Sequence, residues 1–125
     1  MDKTVYREEV KAELRSILRY WMEYTPDDRR GGFFGRIDGD DRVHPEAPRG
    51  LVLNSRILWT FSAAYKDTGE QLYLPVARRA YEYIVEHFID REYGGAWWSV
   101  SADGKVLEDR KQIYGLAFCL YGLSE

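Results

Sequence analysis

Leu51-Val52-Leu53-Asn54-Ser55-Arg56-Ile57-Leu58-Trp59-Thr60-Phe61 is the densest apolar run in this 125-residue chain. Its large apolar side chains cover so much of a helical surface that little of it can be fully solvated. This predicts a buried helix over about 51–65. Asp67-Thr68-Gly69-Glu70 then breaks the pattern. On its N-terminal side lies a long connection, Arg29 to Arg49, containing Gly31-Gly32, Gly35, Gly39, Pro45 and Pro48. Within it, Phe33–Ile37 and Asp38-Gly39-Asp40 predict a short strand and a turn. A connection of this length is either functional or conceals further structure. Before it, Val10, Leu14, Ile17, Leu18 and Trp21 form one face of an amphipathic helix over about 6–24. Thr25-Pro26-Asp27-Asp28 ends that helix, because proline disfavours helical geometry in the residue before it.

A third helix is predicted over about 71–88, where Leu72, Val76, Ala80, Ile84 and Phe88 recur every fourth residue. Pro75 is compatible with it only in the first turn. A second connection, Ile89 to Arg110, carries Gly94-Gly95-Ala96-Trp97-Trp98 and an Asp103-Gly104 turn. A fourth helix from near Lys111 has Ile113, Leu116, Ala117, Leu120 and Leu123 as its apolar positions. The layout repeats: Gly31-Gly32-Phe33-Phe34 and Gly94-Gly95-Ala96-Trp97 stand 63 residues apart. Arg49-Gly50-Leu51 aligns with Lys111-Gln112-Ile113 at nearly the same offset, and Trp59 with Tyr121. Two copies of a helical hairpin follow, with polar-faced outer helices and apolar inner ones. In an α/α barrel, the long loops at the N-terminal ends of the inner helices form the cleft. The final apolar helix has no polar cap after it, which predicts that residues 1–125 are the N-terminal segment of something longer, or one member of an assembly.

Composition narrows the function. Hydrophobic residues make up 45% and charged residues 31% of the chain, enough apolar material for a packed core. Ten Tyr, five Phe and four Trp exceed what a small core readily fills, so some are expected to line a cleft or an interface. The net charge of −3 and the absence of a basic stripe argue against a nucleic-acid partner. No apolar run approaches the ~20 residues of a membrane-spanning helix. The charged N-terminus is unlike a signal peptide. Cys119, the single cysteine, cannot form an intrachain disulfide, and a cytoplasmic setting is expected.

Arg56 is the most informative residue. A guanidinium inside so apolar a helix cannot lose its charge and needs partners. It is a structural ion pair, a side chain reaching the surface, or an anion or hydroxyl clamp facing a barrel interior. Asn54 lies on a different helical face, where a helix-end or packing hydrogen bond accounts for it; it is also a candidate to reach substrate. Trp97 and Trp98 point in opposite directions along an extended chain, so one can pack in the core while the other faces the cleft. Aromatic faces stack on sugar C–H surfaces. Tyr114, near the start of the fourth helix, is either a core tyrosine or a pocket residue whose hydroxyl needs a partner if buried.

Other chemistry finds less support. The loop carboxylates Asp38, Asp40, Asp41, Glu46, Asp103, Glu108 and Asp109 do not by themselves establish the opposed pair of a glycosidase. Asp38-Gly39-Asp40-Asp41 lacks the distal Glu of an EF-hand loop and reads as a solvated turn. His44 and His87 have no metal-ligand spacing to another His or Cys, and His87 near a helix C-terminus has an electrostatic explanation.

The segments 31–35, 37–40, 53–62, 77–81, 93–99 and Lys111-Gln112-Ile113-Tyr114 together resemble the N-terminal part of the cellobiose 2-epimerases of the N-acylglucosamine 2-epimerase family. The resemblance covers nearly all of this chain and about the first third of a family member. It implies a partial all-α (α/α)6 barrel, of which this chain supplies about two hairpins with short strands in the long loops. It also implies metal- and nucleotide-independent epimerisation at C2 of a reducing-end sugar, with no cofactor. In that chemistry the ring opens, the C2 proton is removed to give an enediolate, and a proton returns to the opposite face, with histidines as base and acid. The arginine matching Arg56 stabilises the developing oxygen charge, and the tyrosine matching Tyr114 lines the pocket. The family's catalytic histidines lie in later hairpins, and neither His44 nor His87 matches them. The isolated chain is therefore expected to be inactive, and to need the C-terminal part of the fold or self-association. Two other readings are an α/α-barrel glycosidase fragment and a non-catalytic carbohydrate-binding or interaction protein.

Overall fold

The computed structural model describes residues 2–125; Met1 lies outside them. Four α-helices are present among the described residues: α1 (Lys3–Tyr24), α2 (Leu51–Thr68), α3 (Leu74–Tyr83) and α4 (Ile113–Ser124). Asp2 caps α1 by accepting a hydrogen bond from the Thr4 N–H at 2.9 Å. Gly69 closes α2 in the left-handed conformation (φ 71°), donating to the Tyr65 carbonyl. The predicted third helix is three pieces. A 3₁₀ turn at Gln71–Tyr73 leads into α3, which has Pro75 in its opening turn, and a π turn at Ile84–Phe88 follows.

The long loops gather where α2 and α4 begin. Three short antiparallel strands, β1 (Arg49–Gly50), β2 (Ser99–Val100) and β3 (Val106–Glu108), form a sheet in that order. Arg49 pairs with Val100 and Gly50 with Ser99, so the sheet joins the two hairpins. The strand expected at Phe33–Ile37 is reduced to isolated bridges, Pro26 to Phe33 and Ile37 to Val43. The backbone there is spent on turns instead. Asp38 Oδ1 accepts from the Asp40 and Arg42 amides, making the acidic run a self-bonded turn. Arg79 of α3 reaches into the first loop and donates to the carbonyls of Gly32 and Asp27.

The core lies between α2, α3 and the loops. Phe33, Phe61 and Phe88 are buried with Leu18, Leu51, Ile84 and Val100. Burying each large apolar side chain is worth about 1.5–3 kcal/mol. Over residues 51–65 of α2, Arg56 is the only exposed side chain, as the apolar density predicts. Two expected faces differ from the sequence pattern. Of the α1 stripe only Leu18 is buried, while Val10, Leu14 and Ile17 remain exposed. On α4, Ile113 (85% exposed) and Leu120 (71%) face outward, and Gly115, Cys119 and Gly122 are buried in their place. The reason is close approach: a Cβ on Gly122 would stand 2.7 Å from the Ser55 carbonyl oxygen, so only glycine there lets α4 lie this close to α2. Burial pushes the Cys119 thiol pKa up, which keeps it an inert packing group.

Candidate functional site

α2 and α4 run in the same direction. Gly115 lies against Leu51 at their beginnings, and Lys66 pairs with Glu125 at 3.0 Å near their ends. Val52, Arg56, Trp59 and Ala63 share one sector of α2, by their spacing of four, three and four residues. Tyr114, Ala117, Phe118 and Tyr121 share one sector of α4. Trp59 and Tyr121 stack at 5.3 Å with an interplanar angle of 14°, which puts both sectors on one side of the helix pair. Tyr114 packs edge-on against Phe118 at 4.9 Å. None of these eight residues is buried. The result is an open aromatic and aliphatic face with a single charged group, Arg56.

Arg56 makes neither an ion pair nor a side-chain hydrogen bond among the described residues, so it is not a structural ion pair within this chain. It borders a cavity of about 340 Å³ lined by Ile17, Leu18 and Trp21 of α1 and by Leu53, Ile57, Thr60 and Phe61 of α2. Tyr114 is exposed, with its edge on Phe118.

Trp98 stands at the start of both inner helices. Its carbonyl accepts the Leu51 N–H at 3.0 Å, and its ring lies against Gly115, where a Cβ would come within 3.0 Å of it. The Arg110 guanidinium covers the Trp98 ring at 5.6 Å, while the Lys111 ammonium covers Trp97 at 4.8 Å. Both tryptophans are half-buried. Asn54 is turned away from this face and buried; its Nδ2 donates to the Gly50 carbonyl at 2.8 Å, and its Oδ1 has no partner among the described residues. The geometry thus gathers Arg56 and Tyr114 on one face, puts Trp98 at its loop end, and leaves Asn54 as a tie within the first turn of α2.

The histidines are engaged elsewhere. His44 Nε2 lies 2.9 Å from Asp38 Oδ2, and this contact, with the Arg42 and Asp40 amides, holds the Asp38 carboxyl below the usual range. His87 stacks on Tyr83 at 4.4 Å and places Nδ1 3.3 Å from the Gly104 carbonyl. No group of three or more His, Cys, Asp or Glu is placed to hold a metal among the described residues. None of the described helices is long and apolar enough to cross a membrane.

Two ion pairs were not foreseen. Asp27 Oδ2 accepts from Arg49 Nη2 at 2.6 Å, with both side chains buried. Asp90 Oδ2 accepts from Lys111 Nζ at 2.5 Å. The sequence signal was present, since Asp27 and Asp90 keep the same 63-residue offset as the Gly-Gly pairs.

Two parallel apolar helices, outer helices running against them, and loops meeting at the inner N-termini define a segment of an α/α barrel, with the candidate site on the face shared by α2 and α4. Comparison with known proteins gives the family. Residues 32–125 match the N-acylglucosamine 2-epimerase (GlcNAc 2-epimerase) family, and the chain belongs to it. It is 46% identical to a cellobiose 2-epimerase of Bacteroides fragilis over all 125 residues, which is 32% of that protein. It is 38% identical to the cellobiose 2-epimerase of Dictyoglomus turgidum, again over 32% of its length. The solved cellobiose 2-epimerase of Bacillus thermoamylovorans superposes with a TM-score of 0.92 at 37% identity, over 97% of this chain and 31% of that one. The chain therefore spans about a third of the length of the curated relatives it matches.

Proposed function

We propose that this chain forms part of the substrate site of a cytoplasmic sugar 2-epimerase acting at the reducing end of cellobiose- or lactose-type disaccharides. The observation that carries this reading is Arg56, the one charged group on the aromatic face shared by α2 and α4. Removal of the C2 proton from the open-chain aldose leaves an enediolate, whose negative charge sits on oxygen. A fixed guanidinium at that oxygen lowers the barrier, because the cation meets charge that exists fully only after proton removal. Tyr114 and Trp98 offer aromatic surface and a hydroxyl to the sugar, and Asn54 supports them by tying the first turn of α2. The proton-transfer groups come from other hairpins, since His44 and His87 are committed to Asp38 and Gly104 in the loops. Further hairpins of the barrel cover the exposed apolar stripes of α1 and α4. The 125-residue chain alone binds part of the substrate and turns none over.

The test joins residues 1–125 to the C-terminal two-thirds of the Bacteroides fragilis enzyme. The expected result is conversion of cellobiose to its C2 epimer, with Arg56→Ala lowering kcat by roughly 10²–10³. A folded, inactive fusion, or an Arg56→Ala fusion of near-parent activity, rejects the reading. So does turnover by the 125-residue chain alone.

A further inference from the structure

The two loops are built on one device, used twice. Asp27 Oδ1 accepts from the Arg29 and Arg30 amides, and Asp90 Oδ1 accepts from the Glu92 and Tyr93 amides. The carbonyls of the same two aspartates accept from Gly31 and Gly94, both at positive φ. One carboxylate oxygen thus closes the turn, which leaves Oδ2 free. In each copy Oδ2 grips a cation, Arg49 or Lys111, that stands two residues before the first residue of an inner helix. Each cation also lies over the aromatic ring that follows its Gly-Gly pair: Arg49 is 5.7 Å from Phe34, and Lys111 is 4.8 Å from Trp97. Carboxylate and ring hold each cation, and a backbone carbonyl adds a third contact, Pro45 to Arg49 at 3.4 Å and Gly94 to Lys111 at 2.7 Å. Neither inner helix has a side-chain N-cap: Gly50 and Gln112 occupy those positions without one. Without a cap, the start of a helix is set by whatever holds the chain just upstream.

We infer that Asp27–Arg49 and Asp90–Lys111 are positioning pairs that fix where α2 and α4 begin, and through them where Arg56 and Tyr114 stand. The role given to Arg56 and Tyr114 rests on the proposed epimerase reading; the placement of the helix starts does not. The pairs differ in one respect. Arg49 is sealed from solvent, whereas the Lys111 side chain keeps 28% of its surface exposed. The second helix start is therefore the one that can be loosened without unfolding the chain.

The test is amide hydrogen exchange on the ¹⁵N-labelled 125-residue chain. Asp90→Asn keeps an Oδ1 acceptor for the turn and removes the charge that holds Lys111. Lys111→Met keeps the stem over Trp97 and removes the ammonium. Both variants should speed exchange of the Leu116 N–H, which bonds the Gln112 carbonyl at 3.0 Å, by about tenfold relative to amides in the centre of α2. Lys111→Arg should restore the parent rate. In the epimerase fusion, Asp90→Asn should lower kcat, and Lys111→Arg should retain it. Unchanged Leu116 protection overturns the inference. So does equal loss of protection at Leu116 and in the centre of α2, which marks general destabilisation. If the parent fusion is inactive, the epimerase reading fails while the exchange data still decide the positioning role.

Discussion

Replacing Asp27 with Ala strands a buried cation. Arg49 is 0% exposed, and its Nε and Nη1 already lack partners among the described residues. Its Nη2 bond to Asp27 is the one that neutralises it, supplemented by a long contact of 3.4 Å to the Pro45 carbonyl. The guanidinium cannot deprotonate, so the variant must bury an unpaired charge or open the loop to water. Breaking one side of a sealed pair costs about 3–5 kcal/mol. That is a large share of the roughly 5–15 kcal/mol holding a domain of this size. At about 4 °C per kcal/mol, the melting temperature should fall by roughly 12–20 °C. Asp90→Ala should cost clearly less, because the Lys111 ammonium can turn into solvent. The double variant Asp27→Asn/Arg49→Met should recover most of the loss, since no charge then remains to be buried and Asn keeps the Oδ1 acceptor of the turn. Thermal unfolding followed by circular dichroism at neutral pH measures all three. The reasoning is refuted if Asp27→Ala melts within about 2 °C of the parent, a shift worth only about half a kcal/mol. It is refuted equally if Asp90→Ala is as damaging as Asp27→Ala.

Three further outcomes follow from the same structure. Gly122→Ala should destabilise the chain by about 1–3 kcal/mol, because the new methyl group meets the Ser55 carbonyl; Gly39→Ala, with nothing within 4 Å of the new Cβ, should change the urea midpoint little. Lys111 and the Tyr93 amide hold the Asp90 carboxyl below the usual range. Its contribution to stability is complete above the unfolded-chain value of about 3.9 and is lost as pH falls through the lower folded value. Lys111→Met should therefore raise the Asp90 pKa, read by carboxyl carbon NMR during an acid titration. Arg56→Ala should change the stability of the 125-residue chain by no more than about 0.5 kcal/mol, or about 2 °C in melting temperature, because the side chain is exposed and has no bonded partner there.

The helix order and the hairpin repeat were legible because apolar spacing reports which side of a helix meets the core. Arg56 was legible for the opposite reason: one cation in an apolar run is conspicuous. The packing face of α4 was not. Large apolar residues at 113, 116, 120 and 123 dominate the pattern, yet Gly115, Cys119 and Gly122 make the contact, because helix approach is set by what is absent from the side chain. The repeat of the paired aspartates was visible as an offset, but their pairing with Arg49 and Lys111 was not. Charged residues in a glycine-rich loop read as solvated, and Arg49 and Lys111 fall one residue out of step with the 63-residue repeat. Burial is what makes those charges consequential, and a linear pattern does not report it.

The bond from the Leu51 N–H to the Trp98 carbonyl has a consequence for how the chain is made. During synthesis, α2 emerges well before residue 98 exists. Until then its first amide has no protein acceptor, β1 has no neighbouring strand, and the small-residue face of α4 is not yet available to cover Ser55. The first hairpin can already pack Phe33, Phe61 and Ile84 together, but the start of α2 is tied down only when the second loop arrives. Trp98 is therefore the residue whose emergence completes the start of α2 and lets β2 pair with β1.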